Sequence, residues 1–275
     1  MKESCHIDIG LQQVQKIETD MVSNIMRICK QNNIECYMVA GSALGTIRHG
    51  GPIPWDSDVD IGVPWSQLNK LKEVFKKEIN DLYSLDYYPK NPNYHLFFPR
   101  VTLKNVDSYI LHVDIFPFVG LPVDYKAQIA YSKISDRLCQ RFDRKQLFGY
   151  PWDGRLKRFL RRIRSFIILQ SAKKLYFLFD KHCREYDYFT SKYVMNPCGH
   201  YSIKNIIPHS ILGSGTELPY MGINVTVPEK YHEYLQHYYN DYMRLPSENE
   251  QHRWDDLVIS IPVLIYNKLQ EEHII

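Results

Sequence analysis

Asp56, Asp58 and Asp60 recur at every second position of Trp55-Asp56-Ser57-Asp58-Val59-Asp60-Ile61-Gly62-Val63. An extended chain has a side-chain period of two, so the three carboxylates share one face while Val59, Ile61 and Val63 turn toward a core. Carboxylates at this spacing, roughly 7 Å apart at Cα, repel unless a proton or cation lies between them. Mg²⁺ suits the need, because it takes oxygen ligands at about 2.1 Å and is commonly held by one or two carboxylates plus substrate phosphates. Mn²⁺ is the alternative with similar ligands. A calcium loop starting at Asp56 fails, since its sixth position is Ile61 and its twelfth Gln67, where glycine and glutamate are required. A solvated strand edge is the plainer alternative.

A second group precedes the acids at a short distance. Val39-Ala40-Gly41-Ser42 follows an apolar run from Cys36, and Ser42 reads as the N-cap of a helical turn over Ala43 to Arg48. Backbone N–H groups at such a start bind phosphate oxygens, and glycine at 41 lets that backbone come close. A phosphate beside a cation is the chemistry this pairing implies.

The stretch from Gly41-Ser42 through Arg48-His49, Gly51 and Pro54-Trp55-Asp56 to Asp58-Val59-Asp60 resembles the LicD family of phosphocholine transferases, in the nucleotidyltransferase superfamily with the fukutin-type phosphotransferases. The resemblance continues at Asp114 and over Leu218 to Pro246. It implies an α/β (α+β) fold, a nucleotidyltransferase-like mixed sheet core with flanking helices and a largely helical middle insertion. Asp58, Asp60 and Asp114 are then the catalytic and metal-holding acids, Asp114 being a further ligand or the base for the acceptor proton. Gly41, Ser42, Arg48, His49, Trp55, Asp56 and Arg100 fall to donor binding, the two arginines as cationic clamps.

The implied reaction moves a phospho-alcohol from a CDP-alcohol, CDP-choline first, to a sugar hydroxyl of a glycan or its lipid-linked precursor. Ribitol or glycerol phosphate from a CDP-polyol stays open. So do nucleotidyl transfer from an NTP, which uses the same acids on another phosphorus, and a non-catalytic binding protein. A quaternary ammonium calls for an aromatic cage; Trp55, Trp65 and the 21 tyrosines supply material without singling one out.

Positioning these residues needs a scaffold, and the pattern supplies one. Leu11, Val14, Ile17, Met21, Ile25 and Ile28 mark an amphipathic helix over 10–33. A strand follows at 34–40, then the acidic strand, then a helix from Trp65 to about Asn80. A loop is expected over 83–100 from its Tyr, Asn and Pro, with a strand at 94–103. The next strand, 109–117, puts His112 and Asp114 on one face. Past Pro197 come a strand-like run over 201–207, a turn at Gly213-Ser214-Gly215, and a helix over 231–243. Domains are expected as a catalytic core at 1–123, a basic, mainly helical insertion at 124–200, and a C-terminal segment at 201–275 that packs back on the core.

Composition fits a folded chain, with 44% hydrophobic and 24% charged residues in 275. No apolar stretch reaches membrane-spanning length and the N-terminus lacks signal-peptide character, so a cytoplasmic location is expected, peripheral to the membrane's cytoplasmic face. Six cysteines without Cys-x-x-Cys spacing predict free thiols. The net charge of +3 conceals an asymmetry: residues 154–179 carry eight basic and no acidic side chains, leaving −5 for the remainder. Interleaved with Leu156, Phe159, Leu160 and Ile163, this segment reads as a basic amphipathic helix for an anionic membrane surface at 155–174, or as a core helix with a solvated face. A nucleic-acid partner is not expected, because the basic residues stay local.

Overall fold

The computed structural model describes residues 6–106, 110–146, 154–156, 159–160, 165, 168–199, 202–252 and 254–275. A mixed sheet forms the centre. It runs in the order β2 (Tyr37–Met38), β3 (Val59–Pro64), β6 (His112–Leu121), β5 (Arg100–Leu103), β4 (Tyr83–Asp86), with β7 (Tyr193–Met195) also on β6 and β8 (Ile207–Pro208) on β7. Only β3 and β6 run parallel, and their register sets Asp60 opposite Asp114.

Helix α1 (Leu11–Gln31) packs against this sheet because Val14, Ile17, Met21, Val22, Ile25 and Ile28 form one buried stripe. Helices α2 (Ala40–His49) and α3 (Leu68–Glu78) follow β2 and β3 in turn. The middle region contributes α4 (Tyr125–Lys145) and α5 (Ala172–Cys183). They reach the core through aromatic rings, Phe97 stacking on Phe179 at 3.9 Å and on Phe142 at 4.2 Å. The C-terminal part adds the hairpin β9 (Thr216–Tyr220) and β10 (Ile223–Val227), then α6 (Tyr231–Tyr239), α7 (Glu248–Gln251), β11 (Ile259–Pro262) and α8 (Val263–Glu271). Strand β1 (His6–Ile9) pairs antiparallel with β11, tying the start of the described chain to its end.

Several element boundaries differ from the sequence expectation. The strand over 34–40 shrinks to two residues, since α2 already begins at Ala40. The supposed loop over 83–100 contains β4, whereas the strand over 94–103 starts only at Arg100. Residues 202–205 form a 3₁₀ turn in place of a strand, Tyr201 being outside the described residues, and the helix over 231–243 stops at Tyr239. Short apolar runs carry the same pattern as a turn or a strand, and tertiary contacts arbitrate between them.

Among the basic residues of 155–174, Lys157, Arg158, Arg161, Arg162 and Arg164 lie outside the described residues; Arg155, Lys173 and Lys174 are exposed. Among the described residues, Cys29, Cys36, Cys139, Cys183 and Cys198 are free thiols, and no helix is long and apolar enough to cross a membrane.

Gly62 shows how tightly the acidic strand is seated. A Cβ there would stand 2.2 Å from Phe118 Cε2 and 2.9 Å from Val39 Cγ1. Gly62→Ala should therefore cost about 1–3 kcal/mol, visible as a lower urea midpoint at unchanged slope.

Candidate active site

The acids collect where β3 and β6 begin. Asp58 precedes β3 and is exposed; Asp60, the second residue of the strand, and Asp56 are half-buried. Val59, Ile61 and Val63 face the core as the alternation requires. Burial first, then Asp58, Asp114 and Asp56, push the Asp60 carboxyl well above the usual carboxylate range, with Arg100 pulling the other way.

Asp114 has a different fate. Both of its oxygens accept from Arg100, Nε to Oδ1 and Nη2 to Oδ2, the second at 3.1 Å. His112 Nε2 lies 3.5 Å from Oδ1. Arg100 is Asp114's partner across the antiparallel β5–β6 pair, so the sheet register enforces the fork. Arg48 is engaged as well. Its Nη1 donates to the Tyr242 carbonyl at 3.0 Å, its Nε to His49 Nε2 at 2.9 Å, and its guanidinium stands 5.8 Å from the centre of the Trp55 ring. His49 meets Trp55 edge to face at 5.6 Å. Both arginines expected as clamps thus hold protein groups.

Ser42 does not cap a helix. Helix α2 starts two residues before it, Val39 takes the N-cap position without a side-chain bond, and the Ser42 hydroxyl accepts the Asp60 N–H at 2.8 Å. The reason is register: at 5% exposure the hydroxyl faces β3, where an unpaired strand N–H would be costly. Val39 N–H donates to the Asp60 carbonyl at 3.1 Å, so both backbone groups of Asp60 are gripped from the turn. At Gly41 a Cβ would come within 3.3 Å of Asp56 Oδ2, so the glycine lets that carboxylate close on the turn.

Three residues near the acids carry no sequence expectation of function. Glu18 of α1 is 1% exposed and its Oε1 has no hydrogen-bond partner among the described residues. Burial, then Asp58 and Asp56, raise its carboxyl well above the ordinary value. Tyr220 at the end of β9 is wholly buried, its hydroxyl also lacks a partner among the described residues, and Glu18 and Asp56 are the charges that act on it. Gln15 donates to the carbonyls of Ile53 at 3.0 Å and Asp56 at 2.8 Å, fastening the acidic loop to α1. A signal for Glu18 exists in the sequence, since it falls four residues after Val14 and four before Val22, inside the apolar stripe.

As for a divalent cation, no group of three His, Cys, Asp or Glu among the described residues is arranged to hold one. Asp114 is held by Arg100. What remains is the pair Asp58 and Asp60, and two carboxylates suit an ion that completes its shell with water and substrate phosphates.

Glu18 gives this geometry a test. Its fold-raised acid retains a proton that the unfolded chain releases above the ordinary value of 4.5. Stability is therefore lost as pH rises from there through the folded value. In metal-free melts, wild type should match Glu18→Gln below pH 4.5 and fall progressively beneath it as pH rises; parallel curves throughout would remove the raised acid.

Comparison with known proteins bears on the same residues. The LicD/FKTN/FKRP nucleotidyltransferase domain matches residues 33–155, which include the acids, the Gly41-Ser42 turn, Arg100 and Asp114. The lipopolysaccharide cholinephosphotransferase LicD of Haemophilus influenzae is 24% identical over 261 residues, 88% of this chain and 95% of that protein. Human ribitol 5-phosphate transferase FKRP is 28% identical over 94 residues, 34% of this chain but 19% of that protein. The solution structure of the antibiotic-resistance factor ANT(2'')-Ia covers 64% of this chain at 12% identity with a TM-score of 0.27, too loose a likeness to weigh on the fold. The residues that build the site lie mainly within the matched span, and over that span the chain is similar to the LicD/FKTN/FKRP nucleotidyltransferase domain.

Proposed function

We propose that the chain is a Mg²⁺-dependent phosphotransferase that moves a phospho-alcohol group, phosphocholine in the first place, from a CDP-alcohol to a sugar hydroxyl of a cell-surface glycan or its lipid-linked precursor. The observation that carries this is correspondence along nearly the whole length of a lipopolysaccharide cholinephosphotransferase, in a chain whose acidic strand carries exposed and half-buried aspartates. The match to a ribitol 5-phosphate transferase supports the CDP-polyol alternative, over a shorter span.

In this reading the acceptor oxygen attacks the phosphorus that bears the alcohol. Its bond to the bridging oxygen of CMP breaks, CMP leaves, and the hydroxyl proton passes to a carboxylate or to water. A bound divalent ion would supply charge neutralisation on the diphosphate, where positioning and electrostatics provide most of the rate. Asp58 and Asp60 are the residues to hold it. Glycine at 41 would let a phosphate oxygen approach the start of α2. Asp114 acts through Arg100, fixing that guanidinium beside Asp60, and is a weaker choice of base than the sequence suggests because both its oxygens are already bonded.

The anionic surface belongs to the same proposal. Leu156, Phe159, Leu169 and Phe177 are exposed, as are Arg155, Lys173 and Lys174, a combination of apolar anchors and basic charge worth about 1 kcal/mol per cation at an acidic bilayer. Flotation with anionic vesicles should recover the chain, and Arg155→Glu, Lys173→Glu, Lys174→Glu should abolish recovery; equal recovery with neutral vesicles would refute it.

The deciding experiment is a donor screen with Mg²⁺ and CDP-choline, CDP-ribitol, CDP-glycerol, CTP and ATP, following CMP and pyrophosphate together with thermal stabilisation by each donor. CMP release or stabilisation from one CDP-alcohol, reduced at least a hundredfold in Asp60→Asn and Asp58→Asn, is expected. Pyrophosphate release would move the chain to nucleotidyl transfer, and silence with every donor would favour a binding protein.

A further inference from the structure

Tyr234 lies in α6, far along the chain from the acids, yet its hydroxyl oxygen accepts the backbone N–H of Ala40 at 3.1 Å. The side chain is 2% exposed, packed with Val39, Ala43 and Leu44 in a cluster that also contains Leu235. Ala40 opens α2 with φ of +48°. An alanine pays a steric cost in that left-handed region, and such residues persist only where surrounding structure holds them.

The position of Ala40 gives the bond a consequence. On one side of it, Val39 N–H donates to the Asp60 carbonyl at 3.1 Å. On the other side, the Ser42 hydroxyl accepts the Asp60 N–H at 2.8 Å. A rotation about Ala40 would swing one grip on Asp60 relative to the other, and would redirect Gly41, which lies against Asp56. The charge acting on the phenol is Asp60 itself, so the ring stands at the acidic site as well as against the helix.

We propose that Tyr234 is a positioning residue of the active site: by bonding the Ala40 N–H it holds Ala40 left-handed, and through Val39 and Ser42 it sets the placement of Asp60. The C-terminal segment then completes the catalytic turn instead of merely covering it. Glycine at position 40 would adopt the same φ unaided; alanine, being stiffer, makes the phenol necessary. The turnover arm of the test rests on the phosphotransferase reading, and the other arm does not.

Tyr234→Phe keeps the ring and removes the acceptor oxygen. In the donor-free chain, hydrogen exchange read on peptides covering 38–46 should quicken at the Ala40 amide by at least tenfold in Tyr234→Phe, with peptides elsewhere unchanged. With a productive donor, kcat should fall at least tenfold while the donor KM stays within twofold, because the placement of Asp60 matters most as the phosphoryl group transfers. Adding Ala40→Gly to Tyr234→Phe should return at least half of that loss, whereas a packing defect would lower the melting temperature without such rescue. Wild-type exchange at Ala40 in Tyr234→Phe would overturn the proposal, as would unchanged kcat or a loss that Ala40→Gly leaves in place. If the wild-type chain turns over no donor, the phosphotransferase reading fails and the exchange result alone decides the role of Tyr234.

Discussion

Repulsion between carboxylates is the constraint on which this structure turns. Asp56, Asp58, Asp60, Asp114 and Glu18 act on one another across the start of two parallel strands, and like charges gathered in a partly buried place must be neutralised, protonated or left to water. Each of these solutions is present. Asp114 receives a bidentate arginine, Glu18 is raised so that it holds its proton, and Asp58 stays exposed. Asp60 is intermediate: half-buried, raised by its neighbours, and opposed by Arg100 alone among the cations that act most on it.

Such a cluster would splay apart without mechanical restraint, and the restraints come from distant parts of the chain. Gln15 of α1 fixes the loop before β3. Met221, at the tip of the β9–β10 hairpin, donates its N–H to the Gly50 carbonyl at 2.9 Å, and its side chain crowds position 51, where a Cβ would meet Met221 Cγ at 3.0 Å. Arg48 reaches the carbonyls of Tyr242 and Arg244 from the end of α2. The acidic loop is therefore clasped between the first helix and the C-terminal hairpin.

Much of the scaffold was legible for a simple reason: long periodic segments announce themselves. Helix α1 appears within two residues of its expected ends, and Val59, Ile61 and Val63 face inward as their alternation requires. Where the pattern is short it misleads. Ile34 to Ala40 looks like a strand, but only Tyr37 and Met38 pair with β3, Val39 caps α2 and Ala40 opens it. Ser42 is the plainest case. A serine after glycine before an apolar run has the local signature of an N-cap, yet its hydroxyl serves a strand eighteen positions later, because local preference yields when a buried N–H needs a partner.

The sequence by itself determined which acidic groups are available: the spacing of Asp56, Asp58 and Asp60, the glycine that precedes them and an acid on a later strand are local facts, and spacing along a strand fixes which side chains share a face. Only the tertiary structure decided the condition of those groups. That Asp114 is bound by Arg100 follows from the register of β5 on β6; that Glu18 belongs to the acidic cluster follows from how α1 lies on the sheet; that Tyr234 meets Ala40 follows from α6 packing on α2. Charge interactions fall off with distance through space and with the water between, and neither quantity is written in the order of residues.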